Sequence, residues 1–213
     1  DSILACLNPG TDMLFLCNPN NPTGLTTDSM LLERILIACE RNGILLVVDE
    51  CFNGFLKEPE KHTFKNKLSQ YENLLIIDAF TKLYGMAGVR LGYCLSSNKM
   101  LLDDMRNAGQ PWAVSSLAQA AGIAALEERK YILKARTLIE KEKIFLLNQL
   151  QALDDIKVFG SEANYIFFHI GIPHLIEHLR DKGILIRDCS NYAGLTSGYY
   201  RIAIRTHPEN VRL

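Results

Sequence analysis

The run Met13-Leu14-Phe15-Leu16-Cys17 passes directly into Asn18-Pro19-Asn20-Asn21-Pro22-Thr23-Gly24. The first five residues are apolar and uncharged and read as a buried strand. In the next seven, two prolines fix φ and the asparagines and glycine accept unusual backbone angles, so a tight turn follows. A helix is predicted beyond it, N-capped by Thr26 or Thr27 with Asp28 in its first turn. Leu31, Leu32, Ile35, Leu36 and Cys39 form its apolar stripe, and Asn42-Gly43 ends it. Ile44 to Asp49 is a second strand, nearly continuous in aliphatic side chains and therefore predicted to be covered on both faces. After a polar, Lys/Glu-rich connection over 56–72, Leu74 to Ala79 reads as a third strand and Val89 to Leu95 as a fourth. This rhythm of short apolar runs and amphipathic stretches predicts an α/β fold with a mainly parallel sheet.

The character changes further on. Ser115 to Leu150 is rich in Ala, Leu, Glu and Lys and reads as one long helix. Short strands follow at Ile156 to Phe159, Asn164 to His169, Ile184 to Arg187 and Tyr199 to Arg205, with a helix from His174 to Lys182. The pattern predicts a division at about residue 120. Residues 1–119 would belong to a large domain, and 120–213 to an interdomain helix and a small α+β domain.

Composition narrows the function. With 23 basic and 24 acidic side chains in 213 residues, the formal net charge is −1, which argues against a polybasic nucleic-acid binder. No apolar run approaches the roughly 18 to 20 residues needed to cross a bilayer. The amino-terminal residues lack the layout of a secretory signal, and six cysteines are scattered without a C-x-x-C pair; a cytoplasmic setting is expected. His174 and His178 have the spacing of a helical metal pair but lack a glutamate partner and a third ligand, so no metal is predicted. Gly85, Gly88 and Gly92 do not spell G-x-G-x-x-G, which weakens a nicotinamide-binding reading.

Three polar residues, Asn21, Asp49 and Lys82, fall just beyond or at the carboxyl ends of predicted parallel strands, the edge at which open α/β sheets bind ligands. Lys82 lies in Phe80-Thr81-Lys82-Leu83-Tyr84-Gly85, an apolar setting expected to desolvate its amine and favour Schiff-base chemistry. Eight residues on, Arg90 offers a planar fork suited to phosphate. An aldehyde cofactor carrying a phosphate would use both. Asp49 could then hold a pyridine nitrogen in its protonated form, and Asn21 could donate its amide to the ring oxygen.

Three ordered segments carry a resemblance: Asn18-Pro19-Asn20-Asn21-Pro22-Thr23-Gly24, Val48-Asp49-Glu50-Cys51-Phe52, and Phe80-Thr81-Lys82 running on to Val89-Arg90-Leu91-Gly92-Tyr93. Together they resemble the class I/II aminotransferase family of fold-type-I pyridoxal-phosphate enzymes over essentially the whole chain. The resemblance implies that Lys82 carries the cofactor, Asp49 faces its ring nitrogen, Asn21 faces its ring oxygen, and Thr81 and Arg90 bind its phosphate. It also implies a substrate-carboxylate anchor among Arg187, Arg201 and Arg205. Arg201 and Arg205 are expected on one face of a strand and able to act together.

Phe52, where aminotransferases of the family usually carry tyrosine, points toward a member that releases CO2 from O-phospho-threonine to give aminopropanol phosphate for cobalamin biosynthesis. The same resemblance leaves open transamination of a substrate such as histidinol phosphate, or an inactive truncated homologue. A small phosphorylated amino acid or amine is the expected partner, and the full-length protein is expected to form a homodimer. In this family a large part of the main domain precedes the strand leading to Asn21, so the chain reads as a piece of a longer enzyme. A final helix is expected just where the chain stops.

Overall fold

The computed structural model describes residues 2–213, which divide into two compact units, 2–18 with Thr26–Gly54 and Glu58–Ile132, and Pro19–Leu25 with Phe55–Lys57 and Leu133–Leu213.

In the first unit a short helix α1 (Ser2–Cys6) precedes a four-stranded sheet in the order β1 (Met13–Cys17), β2 (Leu45–Asp49), β3 (Leu74–Ala79), β4 (Gly92–Leu95). The first three strands run parallel, with Cys17 beside Asp49 and Asp49 beside Ile77; β4 runs antiparallel to β3. Central β2 has the character its residues require, with Leu46, Val47 and Val48 all buried. β1 is different. Leu14 and Leu16 pack against the core, whereas Met13 and Phe15 are 45% and 67% exposed, so only one face of this edge strand is covered.

Helix α2 (Ser29–Arg41) buries Leu32, Ile35, Leu36 and Cys39 against Ile44, Leu46, Val48, Leu74 and Ile76. Its cap is Asp28, whose carboxylate accepts from the N–H groups of Met30 and Leu31, rather than Thr26 or Thr27. The fourth strand starts later than the apolar run suggests, because Ala87–Val89 form a 3₁₀ turn and Arg90 takes a left-handed backbone at φ 58°.

Helix α3 (Lys99–Ala108) is capped by Asn98 and was not expected from the pattern. The expected long helix is two, α4 (Ser116–Glu127) and α5 (Arg129–Gln151), parted at Glu128. Within α4, Gly122 lets the Leu91 side chain approach to where a Cβ would otherwise stand.

The division between the units falls within α5. The second unit carries an antiparallel sheet in the order β5 (Ile156–Val158), β6 (Tyr165–Ile170), β8 (Tyr199–Ala203), β7 (Arg187–Asp188). Helix α6 (Leu175–Asp181) starts after His174, which lies outside it at φ 55°, so the two histidines do not share a helix face. A short helix α7 (His207–Arg212), which the pattern does not signal, follows β8 and is closed by a capping box between Thr206 and Glu209. Ile166, Phe168, Tyr200, Ile202 and Ile204 are among the buried residues of this unit. The loop Pro19–Leu25 belongs to it as well: the Tyr165 hydroxyl donates to the Asn20 carbonyl at 2.8 Å, and the Glu162 N–H donates to the Gly24 carbonyl at 2.8 Å. Gly24 has φ 72°, and a Cβ there would stand 2.7 Å from Ser161 Oγ, so both backbone and space call for glycine.

Among the described residues, no helix is long and apolar enough to cross a membrane.

Candidate active site

Asp49 is the last residue of β2 and half-buried. Its Oδ1 accepts from the Cys51 N–H at 2.9 Å, and its Oδ2 lies 4.0 Å from Cys17 Sγ, the side chain opposite it in the parallel register. Burial, and then the Asp49 charge, push the Cys17 thiol up. Burial, a side-chain hydrogen bond with Asp49 and the same charge push the Cys51 thiol strongly up, against a weaker downward pull from Lys82.

Lys82 stands on a turn closed by the Gly85 N–H donating to the Lys82 carbonyl and the Met86 N–H to that of Phe80. Gly85 supplies φ 65° in this turn. Phe80 is buried beneath it, with its ring 4.9 Å from that of Tyr84. Leu83 packs onto Gly54, where a Cβ would stand 2.6 Å from its Cδ2. The Lys82 side chain is exposed, not desolvated as its apolar neighbours suggested, because Phe80 and Leu83 turn inward while Lys82 turns out. Its Nζ lies 5.5 Å from the centroid of the Phe52 ring, a cation–π contact. Thr81 is half-buried. Arg90 is exposed and donates to the Ala87 carbonyl at 3.2 Å.

Two residues that the sequence reading passed over brace this half. Asn18, 0% exposed, donates from Nδ2 to the His62 carbonyl at 3.0 Å and accepts from the Thr27 N–H at 2.9 Å, locking the chain that leaves β1. Glu50, 1% exposed, accepts from Thr63 Oγ1 at 2.6 Å and from the Phe64 N–H at 2.8 Å; burial holds its carboxyl above the usual range despite both bonds.

The remaining predicted residues lie in the second unit. Asn21 Oδ1 accepts a short hydrogen bond from the Arg201 guanidinium and one of 3.3 Å from the Tyr192 hydroxyl. Arg201 also lies over the Tyr165 ring, 4.8 Å from its centroid. Arg187 stands directly opposite Arg201 across β7 and β8, which puts both on one face, and it donates to Asn191 Oδ1 at 3.2 Å. Among the described residues, neither guanidinium pairs with a carboxylate; each is held by a neutral amide oxygen.

Arg205 does not join them. β8 ends at Ala203, and Arg205 binds Glu209 of α7 at 2.5 Å, so the arginines that face each other are Arg187 and Arg201. Tyr192 had no signal in the sequence. The pairing of Arg187 with Arg201 is visible only once the register is known.

The first unit thus carries a carboxylate and an amine at the carboxyl edge of its parallel sheet, and the second carries a clasped asparagine and two arginines beside its antiparallel sheet, an α/β architecture with one sheet of each kind. Residues 1–213 match the family model for aminotransferase class I and II, and the chain belongs to that pyridoxal-phosphate-dependent family. It is 36% identical over 215 residues to the threonine-phosphate decarboxylase of Salmonella typhimurium, covering 100% of this chain and 58% of that protein. It is 31% identical over 212 residues to the histidinol-phosphate aminotransferase of Methanocaldococcus jannaschii, covering 98% and 55%.

Among solved structures, the histidinol-phosphate aminotransferase of Clostridium acetobutylicum superposes with a TM-score of 0.90 at 29% identity, over 94% of this chain and 61% of that one. The L-threonine-O-3-phosphate decarboxylase of Porphyromonas gingivalis superposes with a TM-score of 0.81 at 26% identity, over 94% and 62%. The chain thus spans little more than half the length of the curated relatives it matches.

Proposed function

We propose that the full-length protein is a pyridoxal-phosphate-dependent decarboxylase that releases CO2 from O-phospho-threonine, leaving aminopropanol phosphate for cobalamin biosynthesis. The observation that carries this reading is the Arg187 and Arg201 pair, two guanidiniums on one sheet face held by amide oxygens rather than carboxylates. Their charge is left for a ligand, and O-phospho-threonine brings two anionic groups, a phosphate and a carboxylate, each suited to a planar fork. Phe52, against Lys82, adds a ring face and no hydroxyl. The 36% identity to a threonine-phosphate decarboxylase supports the same choice.

The side chains suit the cofactor. Pyridoxal phosphate, when bound, supplies an aldehyde that takes up an amine and a ring that draws electrons from a breaking Cα bond. In this reading Asp49 holds a proton at the ring nitrogen. Asn21 has its carbonyl oxygen occupied by Arg201 and Tyr192, so its NH2 is the end left to donate to a ring oxygen. Thr81 and Arg90 serve the cofactor phosphate. Lys82 would hold the cofactor through its amine and, once released and protonated, would donate from its ammonium the proton that replaces CO2 at Cα. Arg187 and Arg201 hold the substrate's anionic groups and fix which Cα bond is presented. A homodimer of the full-length protein belongs to the same proposal and is checked by sedimentation.

Full-length protein loaded with pyridoxal phosphate is incubated with O-phospho-threonine, and separately with histidinol phosphate and a keto acid. CO2 release and aminopropanol phosphate from the first support the proposal. Keto-acid consumption from the second, with no CO2 from the first, replaces it by an aminotransferase in which both arginines grip one phosphate, a reading favoured by the superposition on a histidinol-phosphate aminotransferase. Protein that takes up no cofactor is an inactive homologue.

A further inference from the structure

We propose that Tyr165 is a positioning residue that fixes Arg201 and the turn bearing Asn21 in one arrangement, its ring setting the guanidinium and its hydroxyl holding the turn. The proposal rests on the reading of Arg201 as a holder of the substrate's anionic group and adds how that guanidinium is aimed.

The sheet itself brings the two side chains together. Tyr165 of β6 stands opposite Ala203 of β8, and Arg201 lies two residues from Ala203 along the same strand. Residues directly opposite share a face, and so do residues two apart. Tyr165 and Arg201 are therefore diagonal neighbours on one face, a spacing that aromatic and long side chains bridge. Arg201 Cζ lies over the Tyr165 ring, 4.8 Å from its centroid, in a cation–π contact. The ring is buried and held from two further directions. Its hydroxyl donates to the Asn20 carbonyl at 2.8 Å, and Gly24 packs against its edge, where a Cβ would stand 3.2 Å from Cε2. The circuit closes through Asn21, next in the chain to Asn20, whose Oδ1 accepts from Arg201. Tyr165 thus touches Arg201 directly and, through Asn20, the turn whose asparagine Arg201 clasps; all of these residues belong to the second unit.

The kind of contact matters. A carboxylate beneath Arg201 would orient it equally well but would neutralise its charge and occupy its donors. A ring face attracts the cation through its quadrupole and takes up no N–H group. A guanidinium has five donors, of which the bond to Asn21 uses one, so Arg201 is oriented while its fork stays open to an anion. A side chain already held in its binding pose also gives up less rotamer freedom when the ligand arrives. Were Tyr165 a core residue alone, its loss would affect substrate binding to the same extent with or without Arg201.

The test uses the full-length protein and two readouts. Without cofactor, hydrogen–deuterium exchange across residues 19–25 is compared in the wild type and in Tyr165→Phe, which keeps the ring and removes the hydroxyl. Exchange is expected to rise about 2- to 10-fold; unchanged exchange overturns the hydroxyl's part. With pyridoxal phosphate, KM for the substrate that the enzyme turns over is measured in Tyr165→Phe, Tyr165→Leu and Tyr165→Met, each alone and combined with Arg201→Ala. Loss of the ring in the leucine and methionine variants is expected to raise KM about 3- to 30-fold, with a smaller rise in Tyr165→Phe. In the Arg201→Ala background the same losses are expected to add less than about twofold, because the guanidinium that the ring sets is gone. Equal rises in both backgrounds, or none in either, overturn the ring's part. If Arg201→Ala itself leaves KM unchanged, the assignment of Arg201 to the substrate fails. The rate of phenylglyoxal modification at Arg201 in cofactor-free protein, expected to rise in the leucine and methionine variants but not in Tyr165→Phe, then decides the ring's part. Should the leucine variant not fold, methionine, an adaptable filler of buried space, carries the comparison.

Discussion

Replacing Asn18 by alanine tests whether the turn that leads to Asn21 is held by the side chain that precedes it. The Asn18 amide is fully buried and makes two hydrogen bonds to backbone, to the His62 carbonyl at 3.0 Å and from the Thr27 N–H at 2.9 Å. Alanine removes both and leaves a carbonyl and an N–H unpaired. Each such loss costs about 1 to 3 kcal/mol when the orphan is buried. His62 and Thr27 are only half-buried, so water reaches them in part and the lower half of that range applies. The expected loss is about 2 to 4 kcal/mol for the pair, read as a lower urea midpoint at unchanged slope in the full-length protein. Asn18→Asp keeps the acceptor for Thr27 but sets an oxygen against the His62 carbonyl, and it should be destabilised by a comparable amount. An Asn18→Ala variant within about 0.5 kcal/mol of wild type, the usual range for a neutral surface change, refutes the reasoning.

Other expectations concern charge and chemistry. Glu50 has its carboxyl held above the usual range by burial, so the neutral form is favoured on folding. Its contribution is complete below the unfolded value of about 4.3 and is lost as pH rises through the raised folded value. Denaturant titrations between pH 4 and 8 should show that decline in the wild type and a flatter profile in Glu50→Gln; parallel profiles would refute it. Arg201→Ala is expected to weaken substrate binding by about 10- to 100-fold through loss of charged hydrogen bonds, whereas Arg205→Ala, which removes only the ion pair with Glu209, should change KM by less than about threefold. Equal effects in steady-state kinetics would count against that division of labour. Borohydride reduction after cofactor loading, followed by peptide mapping, should place the label on Lys82 alone and find none in Lys82→Ala; label on another lysine removes it from the proposed chemistry.

Much of the first unit was readable before any coordinates. β1 to β3 are short apolar runs flanked by punctuating residues, and the positions of Asp49 at the end of β2 and Lys82 just beyond β3 follow from strand ends alone, whereas Asn21, four residues past β1, belongs to the second unit. What stayed hidden depends on geometry that residue type does not encode. Glu128 parts two helices without a glycine or proline to announce it. Arg90 adopts a left-handed backbone that a periodic pattern cannot show, so β4 is shorter than its apolar run. Arg205 has the right spacing to share a face with Arg201, but the strand stops at Ala203 and α7 offers it Glu209. Lys82 sits among apolar neighbours in sequence and yet is exposed, because those neighbours turn inward without it. Asn18 and Glu50 look like ordinary turn and surface residues until their burial is known.

The facing of Arg187 and Arg201 also has a mechanical side. Like charges set directly across a strand pair repel, and here they sit where β7, only two residues long, meets the rest of its sheet. A dianion settling between them would turn that repulsion into cohesion, so this margin of the sheet would tighten as it fills. Thermal tolerance of this unit should then rise with the concentration of the compound it recognises, and a melting curve could report recognition before any turnover is measured.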